Sequence, residues 1–302
     1  MRLSEVYQQD KPAISFELFP PKSWKGMARL FEHFEELVSC GPAFVTCTYG
    51  AAGGSSGEAR TLETLRLIRG DYPEVPLASH LTCVDQTADQ LREYIRQARE
   101  YQIMGIVALR GDLPGGKGPY EPVPGGFRYA NELTAMIRNE FPELNIIVAG
   151  YPEKHPEAPS FEVDIENLKR KVDAGADAVT TQLFYNNEDF FRFLDACEKA
   201  GIDVPIIPGV LPVTNLAQIR RISELCGARL TDKLLQRLEA HGKDTEGQYS
   251  VGVYYATRQV EELIEQGVPG VHLYVLNKSR AAALICRALN LSQQVRPVKA
   301  KA

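Results

Sequence analysis

The 302-residue sequence predicts an α/β protein of the (β/α)8 class, a TIM barrel built as a single domain. Short runs of β-branched and aliphatic residues alternate with longer amphipathic segments, a pattern typical of βα units around a parallel sheet. Eight strand candidates are present, and no linker or low-complexity segment divides them. An open doubly wound sheet is the structural alternative, and both architectures bind ligands at the carboxyl ends of their strands.

The predicted strands and helices follow one another along the chain. We expect strands at residues 13–19, 43–49, 76–83, 105–111, 145–151, 178–184, 205–211 and 270–276. We expect helices at residues 26–39, 58–70, 87–101, 127–141, 161–174, 187–200 and 214–226, then a helical region at 231–266 and a final helix at 278–289. Thr87 begins the third helix as a capping residue, and Gly175 and Gly201 follow two others. The chain is therefore predicted to form one barrel domain over residues 1–290, followed by a tail over residues 291–302.

Composition and charge narrow the possible partners. Hydrophobic residues make up 44% of the chain, and the net charge of −5 does not suggest binding to nucleic acid or to an anionic membrane. No apolar run approaches the roughly 20 residues of a spanning helix, and the first residues lack a signal-peptide core. The six cysteines never form Cys-x-x-Cys, so neither a disulfide framework nor a structural zinc site is expected. We expect a cytoplasmic protein that acts on small molecules and binds no metal.

The first strand carries the first candidate for chemistry. The segment Ser15-Phe16-Glu17-Leu18-Phe19-Pro20-Pro21 holds one carboxylate among mostly apolar side chains and ends at two prolines, which cannot continue a ladder. Alternation along a strand places Glu17 on the face opposite Phe16 and Leu18. Glu17 is therefore either a rim carboxylate paired with a lysine or a catalytic group.

Polar residues recur on the face of the later strands that is expected to line the barrel interior. They are Thr46, Thr48, His80, Thr82, Arg110, Asp112, Tyr151, Thr180, Gln182, His272 and Tyr274. The neighbours of opposite parity are expected to contact the helices, and they are Val45, Leu77, Leu81, Val107, Leu109, Val179, Leu183, Val271, Leu273 and Val275. Because catalytic residues of barrels cluster at this end, the polar ring favours a functional role for Glu17.

Two glycine-rich loops permit a ligand to approach the backbone closely. They follow the second and fourth strands at residues 50–57 and 111–118. Gly111, Gly116 and Lys117 have the spacing of a phosphate-binding P-loop, but Gly118 replaces the Ser or Thr that binds magnesium, so a P-loop is rejected. The Lys-Arg-Lys run at residues 169–171 is either a solvated helix face or a phosphate contact.

The sequence resembles the methylenetetrahydrofolate reductases of the short bacterial type across nearly all of residues 11–290. The matching segments are residues 15–21, 45–50, 80–83, 108–114, 151–153, 155–157, 167–176, 181–184 and 207–212. The resemblance implies a barrel that binds FAD and reduces 5,10-methylenetetrahydrofolate to 5-methyltetrahydrofolate. NADH or NADPH would be the dissociable reductant, in a ping-pong hydride transfer through FAD. A homo-oligomer is also expected.

The resemblance also implies roles for individual residues. Glu17 matches the general acid that protonates folate N10, and Asp112 matches a carboxylate near the flavin and the pterin. The matches to FAD contacts are Thr48, His80, Arg110, Gly111, Asp112, Tyr129, Ala130, Tyr151, His155, Asp164, Asn167, Arg170 and Lys171. The matches to substrate contacts are Glu17, Thr48, Asp112, Gln182, Gln218 and Lys278. The chain departs from the family pattern at Ile222, where relatives can have Phe, and at Lys278, where they can have Arg.

A proton on Glu17 near neutral pH requires a raised pKa, which burial among Phe16, Leu18 and Phe19 beside Asp112 is expected to produce. Arg110, Arg170 and Lys171 are expected to offset the pyrophosphate charge. Two other functions stay open at this point. One is a flavin barrel that oxidises an amino acid, such as a proline dehydrogenase, and the other is a non-catalytic pterin-binding or methyl-carrier barrel.

Overall fold

The computed structural model describes residues 2–9, 11–49, 55–112 and 120–291. Most of the two predicted glycine-rich loops, at residues 50–57 and 111–118, lies outside the described residues. The predicted tail at residues 291–302 lies outside them as well, apart from Leu291.

The strands form one parallel sheet that confirms the predicted barrel. They are β1 (Ala13–Leu18), β2 (Phe44–Cys47), β3 (Leu77–Thr82), β4 (Gly105–Leu109), β5 (Asn145–Gly150), β6 (Ala178–Thr181), β7 (Ile206–Ile207), β8 (Gly209–Val210) and β9 (Gly270–Tyr274). Their order in the sheet is β7-β6-β5-β4-β3-β2-β1-β9-β8. Since β7 and β8 flank Pro208 in one extended segment, the two ends of the sheet meet there.

Pro208 explains why the single strand predicted at residues 205–211 is two short ones. A proline has no backbone N–H to donate, so the ladder to β6 stops at Ile207. The Pro208 carbonyl instead accepts a hydrogen bond of 2.9 Å from the His272 backbone, and β8 pairs with β9 from there. A Cβ at Gly209 would collide with the carbonyl oxygen of Thr181, so only glycine fits where the segment crosses between its two neighbours.

The helices surround the barrel. They are α1 (Leu3–Val6), α2 (Trp24–Ser39), α3 (Ser55–Asp71), α4 (Ala88–Glu100), α5 (Ala130–Glu140), α6 (Phe161–Asp173), α7 (Asn187–Lys199), α8 (Leu216–Cys226), α9 (Asp232–Ala240), α10 (Thr245–Glu265) and α11 (Arg280–Ala288). The helical region predicted at residues 231–266 is in fact two helices, because Asp244 caps α10 through the Gly247 backbone. Among the described residues, no helix has both the length and the apolar character needed to cross a bilayer.

A small apolar cluster fills the amino-terminal end of the barrel interior. One side chain from each of several strands contributes to it, and these are Ala13, Phe44, Ala78, Val107, Ile147, Ala178 and Ile207. Leu3 and Val6 of α1, a helix that the sequence did not predict, pack against this cluster from below. The bottom of the barrel is thus sealed, which leaves the carboxyl end of the strands, hereafter the mouth, as the accessible end.

The predicted facing of the fourth strand is wrong. Val107 and Leu109 belong to the interior cluster and not to the helix layer, because Val107 is in register with the inward-facing His80 of β3. Arg110 and Asp112 therefore do not share the interior parity. The other strands keep the predicted alternation, as the helix-facing positions of Val45, Leu77 and Val179 in the main core illustrate.

Candidate active site

Glu17 lies near the carboxyl end of β1 and is surrounded by two imidazoles. Its carboxylate Oε2 is 3.2 Å from Nε2 of His80 on β3 and 3.7 Å from Nε2 of His272 on β9. Register brings the group together, since Glu17 pairs with Thr46 and Tyr274 on the flanking strands. Glu17 is only 8% exposed, so this charge lies inside the barrel and beneath the mouth.

His272 extends the cluster toward the bottom of the barrel. Its Nδ1 is 2.7 Å from Ser15 Oγ. Ser15, Glu17 and His272 share the interior face because Ser15 is directly opposite His272 in the β1–β9 pairing. The sequence placed His272 in the polar ring but assigned it no role. Its interior parity was the signal in the sequence, whereas its pairing with Ser15 depends on the register of β1 and β9.

The electrostatics of this cluster contradict the expected raised pKa of Glu17. Burial does raise the pKa, but the charge of His80 and the polar contacts with His272 and His80 outweigh it, so the pKa falls to about 2. Glu17 was expected to have a raised pKa from its apolar neighbours, without the two imidazoles. Asp112, which was expected to raise the pKa further, is exposed and is not among the groups that shift it.

Thr48 and Gly111, two of the predicted flavin contacts, lie at the mouth. Thr48 Oγ1, directly after β2, is buried and has no hydrogen-bond partner within the described part of the chain. An unpaired buried hydroxyl is costly unless a ligand satisfies it, so Thr48 could accept a hydrogen bond from a bound group or donate one to it. Gly111 has a φ of +95°, and a Cβ there would come within 2.9 Å of the Thr82 side chain, so its conformation and packing both require glycine.

The segment after β5 and the helix α6 hold a second group of predicted flavin contacts. The rings of Tyr151 and His155 meet edge to face at 4.6 Å, and the His155 backbone donates to Asp164 Oδ2 at 2.8 Å. Burial lowers the pKa of His155, so its ring is neutral near pH 7, and its Nδ1 accepts from the Glu157 backbone. Asp164 thus joins the loop to the first turn of α6.

Lys171 extends from the last turn of α6 back to the barrel. Its ammonium donates a hydrogen bond of 2.5 Å to the Ala149 carbonyl on β5. Burial lowers its pKa to about 8, and Asp164 partly offsets that effect. Arg170 is exposed and donates to Asn167 Oδ1 at 3.0 Å. Within the Lys-Arg-Lys run, Lys171 therefore contacts the barrel, whereas Arg170 lies at the surface.

Arg110 forms an ion pair with Glu157, a residue with no predicted role. Its two terminal nitrogens contact both Glu157 oxygens at 2.6 and 2.7 Å in a bidentate pair. Glu157 raises the pKa of Arg110, and Arg110 lowers that of Glu157. The positive charge expected to face a pyrophosphate is therefore already compensated, and a phosphate group would compete with Glu157 for it.

The remaining predicted flavin contacts begin α5. Tyr129 is the residue before the helix and is half exposed, while Ala130 is its first residue and is buried. Glu132 accepts from the Tyr129 backbone at 2.9 Å and so fixes this helix end.

Gln182 lines a shallow cleft beside this group. The cleft is open to solvent and is lined by Tyr151, Pro152, Glu153, Lys154, Gln182, Leu183, Cys226, Gly227 and Ala228. Arg229 joins its two sides, with hydrogen bonds of 2.9 Å to Glu153 and 3.1 Å to Asp189. The loop after β5 is thereby linked to the segment that follows α8.

The other predicted folate contacts are more widely spread. Gln218 is exposed in the first turn of α8, and Ile222 packs partly buried in the apolar cluster beneath that helix. Lys278 is exposed and lies in the turn after β9. The structure brings Glu17, His80 and His272 into contact, whereas Gln218 and Lys278 lie on separate connections around the mouth.

A parallel barrel with a buried carboxylate between two imidazoles at its mouth defines a (β/α)8-barrel enzyme. The chain belongs to the methylenetetrahydrofolate reductase family, whose family model matches residues 2–290. It is 40% identical over 289 residues to the 5,10-methylenetetrahydrofolate reductase of Escherichia coli (strain K12), which covers 96% of this chain and 94% of that protein. It is 35% identical to "Methylenetetrahydrofolate reductase (NADH) 1" of Arabidopsis thaliana, over 96% of this chain and 50% of the plant protein.

Solved structures agree on the fold. An uncharacterized protein from Clostridium thermocellum that binds two copies of 5-methyl-5,6,7,8-tetrahydrofolic acid superposes with a TM-score of 0.64 at 13% identity. That superposition covers 96% of this chain and 99% of the other. Membership of this family supports an oxidoreductase that acts on methylenetetrahydrofolate, in preference to the amino-acid-oxidising or non-catalytic barrels considered from the sequence.

Proposed function

We propose that the chain reduces 5,10-methylenetetrahydrofolate to 5-methyltetrahydrofolate with FAD as cofactor and NADH or NADPH as reductant. The observation that carries the proposal is the Glu17 carboxylate, buried at the mouth between His80 and His272. When bound, FAD would supply the hydride chemistry, accepting a hydride from the nicotinamide and passing it to the folate in a separate half-reaction. NADH is the reductant named for the plant relatives. The enzyme is proposed to work in the cytoplasm as a homo-oligomer.

The residues at the mouth fit a flavin dinucleotide. Thr48 offers a buried hydroxyl with no partner among the described residues, and Gly111 allows the backbone to pack closely against Thr82. Lys171 and Arg170 supply positive charge on α6, and Arg110 can exchange Glu157 for a phosphate. The other residues proposed to hold the cofactor are His80, Asp112, Tyr129, Ala130, Tyr151, His155, Asp164 and Asn167.

Opening the five-membered ring of the folate requires a proton at N10, and Glu17 is the proposed donor. With His80 at 3.2 Å the carboxyl is ionised near pH 7, so it must gain a proton before it can act. Burial is the largest single effect on its pKa and favours the protonated acid. His80 is also a proposed cofactor contact. If a bound cofactor draws the charge of His80 away from Glu17, burial would become the dominant effect and would raise the Glu17 pKa.

Asp112 and the substrate contacts complete the proposal. Asp112 would place a negative charge near the cationic folate intermediate formed when the ring opens. Gln182, at the cleft, would contact the nicotinamide and the folate in turn. Thr48, Gln218 and Lys278 would contact the folate, with Lys278 giving its tail a point charge in place of the bidentate geometry of an arginine.

The substitution Glu17→Gln tests the assignment in anaerobic stopped-flow experiments. It removes the proton donor and leaves the hydride acceptor, so flavin reduction by NADH should proceed within about twofold of the wild-type rate. Flavin reoxidation by methylenetetrahydrofolate should fall by at least about 10²-fold, the lower range of general acid–base contributions.

A surface carboxylate provides the matched control. Glu63 lies on α3, 40% exposed and paired with Arg66, so Glu63→Gln should leave both half-reactions unchanged. Equal losses in both half-reactions of Glu17→Gln would contradict the role of Glu17 as proton donor.

A further inference from the structure

The turn between β9 and α11 has an unusual backbone. Val275 and Lys278 close it with a hydrogen bond of 2.8 Å between the Lys278 N–H and the Val275 carbonyl. The two central residues, Leu276 and Asn277, are both left-handed, with φ of 48° and 57°. Asparagine tolerates this region, but leucine rarely adopts it. Such conformations persist where surrounding contacts hold them, often at functional sites.

Asn277 supplies the contacts that hold this turn. Its Oδ1 accepts from the Phe19 N–H at 2.8 Å, and its Nδ2 donates to the Phe19 carbonyl at 2.8 Å. One side-chain amide therefore satisfies both backbone groups of a residue 258 positions away in the sequence. This pair of hydrogen bonds, hereafter the Asn277 clasp, imitates a rung of a β-ladder.

The clasp continues the β1–β9 ladder beyond its last backbone pair. Glu17 is in register with Tyr274, and the Val275 N–H reaches the Glu17 carbonyl at 3.4 Å. After Phe19 the chain enters Pro20 and Pro21, which have no N–H to donate. The clasp is thus the last cross-strand contact on the segment that carries Glu17, two residues beyond it.

The opposite end of the turn is also anchored. Ser279 is buried, donates a hydrogen bond of 2.6 Å to Glu36 Oε2 and lies 3.1 Å from His33 Nδ1. Both partners are on α2, the helix that follows β1. Residues 275–279 are therefore bound on one side to the end of β1 and on the other to α2, which leaves little freedom for Lys278 between them.

We propose that Asn277 is a positioning residue, whose clasp holds the backbone beside Glu17 and the turn that presents Lys278 as one rigid unit. The inference rests on the proposed function, in which Glu17 protonates the folate and Lys278 contacts its tail. Asn277 acts through these two residues and touches no reacting atom. Loss of the clasp should therefore impair the folate half-reaction and spare the reduction of the flavin.

Asn277→Gly tests the role of the side chain without preventing the backbone conformation of the turn. Glycine adopts the left-handed conformation without strain, so the variant removes the clasp while the turn can still form. The matched control is Asn290→Gly. Asn290 is left-handed as well, with a φ of 52°, but it is exposed after the last turn of α11, at the end of the barrel away from the mouth. Asn277→Asp is the second variant, since it keeps the acceptor for Phe19 N–H and loses the donor to the Phe19 carbonyl.

Anaerobic stopped-flow kinetics of both half-reactions, measured from pH 5.5 to 8.5, test the inference. For Asn277→Gly we expect flavin reoxidation at saturating methylenetetrahydrofolate to slow about 10-fold to 100-fold, the cost of a small misplacement of a reacting group. The midpoint of its pH dependence should also move, because in the folate-bound enzyme the proposed function requires Glu17 to be protonated and the surroundings of Glu17 change. Flavin reduction by NADH should stay within about twofold. Asn277→Asp should show an intermediate loss, and Asn290→Gly none.

Three results would overturn the positioning role: unchanged reoxidation, equal losses in both half-reactions, or slower reoxidation with an unmoved pH midpoint. The wild-type protein is measured in the same experiment. If it is not reoxidised by methylenetetrahydrofolate, the proposed function itself fails, and that outcome is distinct from a wild-type reaction that Asn277→Gly leaves intact.

Discussion

The substitution His80→Gln tests the electrostatic origin of the Glu17 pKa. Glutamine keeps a hydrogen-bond donor near the carboxylate and removes the imidazole charge. Because the charge of His80 is the largest of the effects that lower this pKa, its removal leaves burial opposed only by His272 and a neutral hydrogen bond. The pKa of Glu17 should therefore rise.

The structure sets the size of the effect. The pKa of Glu17 is about 2 instead of 4.5, and at 1.36 kcal/mol per pKa unit the difference favours the charged carboxylate by about 3 kcal/mol. Both side chains of the Glu17–His80 pair are only 11% exposed, so solvent screens their interaction little. We expect His80→Gln to raise the pKa of Glu17 by at least about 1 unit.

Carbon-13 NMR of side-chain carboxyls in glutamate-labelled protein measures this pKa directly. The resonance that is absent from the Glu17→Gln spectrum identifies Glu17, and its chemical shift is followed as pH falls. The reasoning is refuted if Glu17 titrates near 4.5 in the wild-type protein, or if its titration is the same in His80→Gln. Either result would mean that the imidazole charge does not hold the carboxylate ionised.

Three further predictions follow from the site. Because folding lowers the Glu17 pKa, the ionised carboxylate stabilises the protein fully above about pH 4.5, and this stabilisation is lost as pH falls toward 2. The free energy of urea unfolding of the wild type, relative to that of Glu17→Gln, should therefore drop by about 1 kcal/mol between pH 7 and 4. A difference that stays constant with pH would contradict this. Gly111→Ala should destabilise the protein by about 1–3 kcal/mol and weaken flavin binding, because the new Cβ meets Thr82. Gly125 also has a positive φ but lies in open space, so Gly125→Ala should lower the free energy of urea unfolding by less. Equal decreases in the two variants would contradict the clash with Thr82. Asp112→Asn should raise the potential of the bound flavin in a redox titration, and an unchanged potential would exclude an electrostatic role for Asp112.

Alternation along strands was sufficient to predict most of the interior face. It placed Ser15, Glu17 and His272 on one side because each lies at an alternate position of a strand whose apolar residues face the helices. It failed on β4, where Arg110 and Asp112 drew the assignment toward the wrong parity. The register with β3, which turns Val107 inward, depends on the stagger of neighbouring strands and is not visible in one strand alone.

The surroundings of Glu17 illustrate what a sequence pattern cannot supply. His80 and His272 come from strands far along the chain, and their distances to one carboxylate oxygen depend on the tilt and closure of the whole barrel. The apolar neighbours of Glu17 were visible and predicted a raised pKa, whereas the imidazoles reverse its direction. Similarly, α1 escaped prediction because a helix of four residues carries too little periodicity.

The break at Pro208 could have been predicted. A proline inside a run of strand residues interrupts a ladder, and the two halves of that run pair with different neighbours. By contrast, the Arg110–Glu157 and Asn277–Phe19 contacts join loops whose conformations the strand pattern does not specify. The sequence pattern was therefore sufficient to predict candidate site residues such as Arg110, but it did not predict the loop residues that form hydrogen bonds to them.

Flavin-dependent reduction of methylenetetrahydrofolate can be followed anaerobically in the absorbance spectrum of the purified protein through two additions. We expect the spectrum of an oxidised flavin, bleaching when NADH is added, and recovery when methylenetetrahydrofolate is added afterwards. A colourless protein, or a flavin that NADH reduces but methylenetetrahydrofolate cannot reoxidise, would contradict the proposed function.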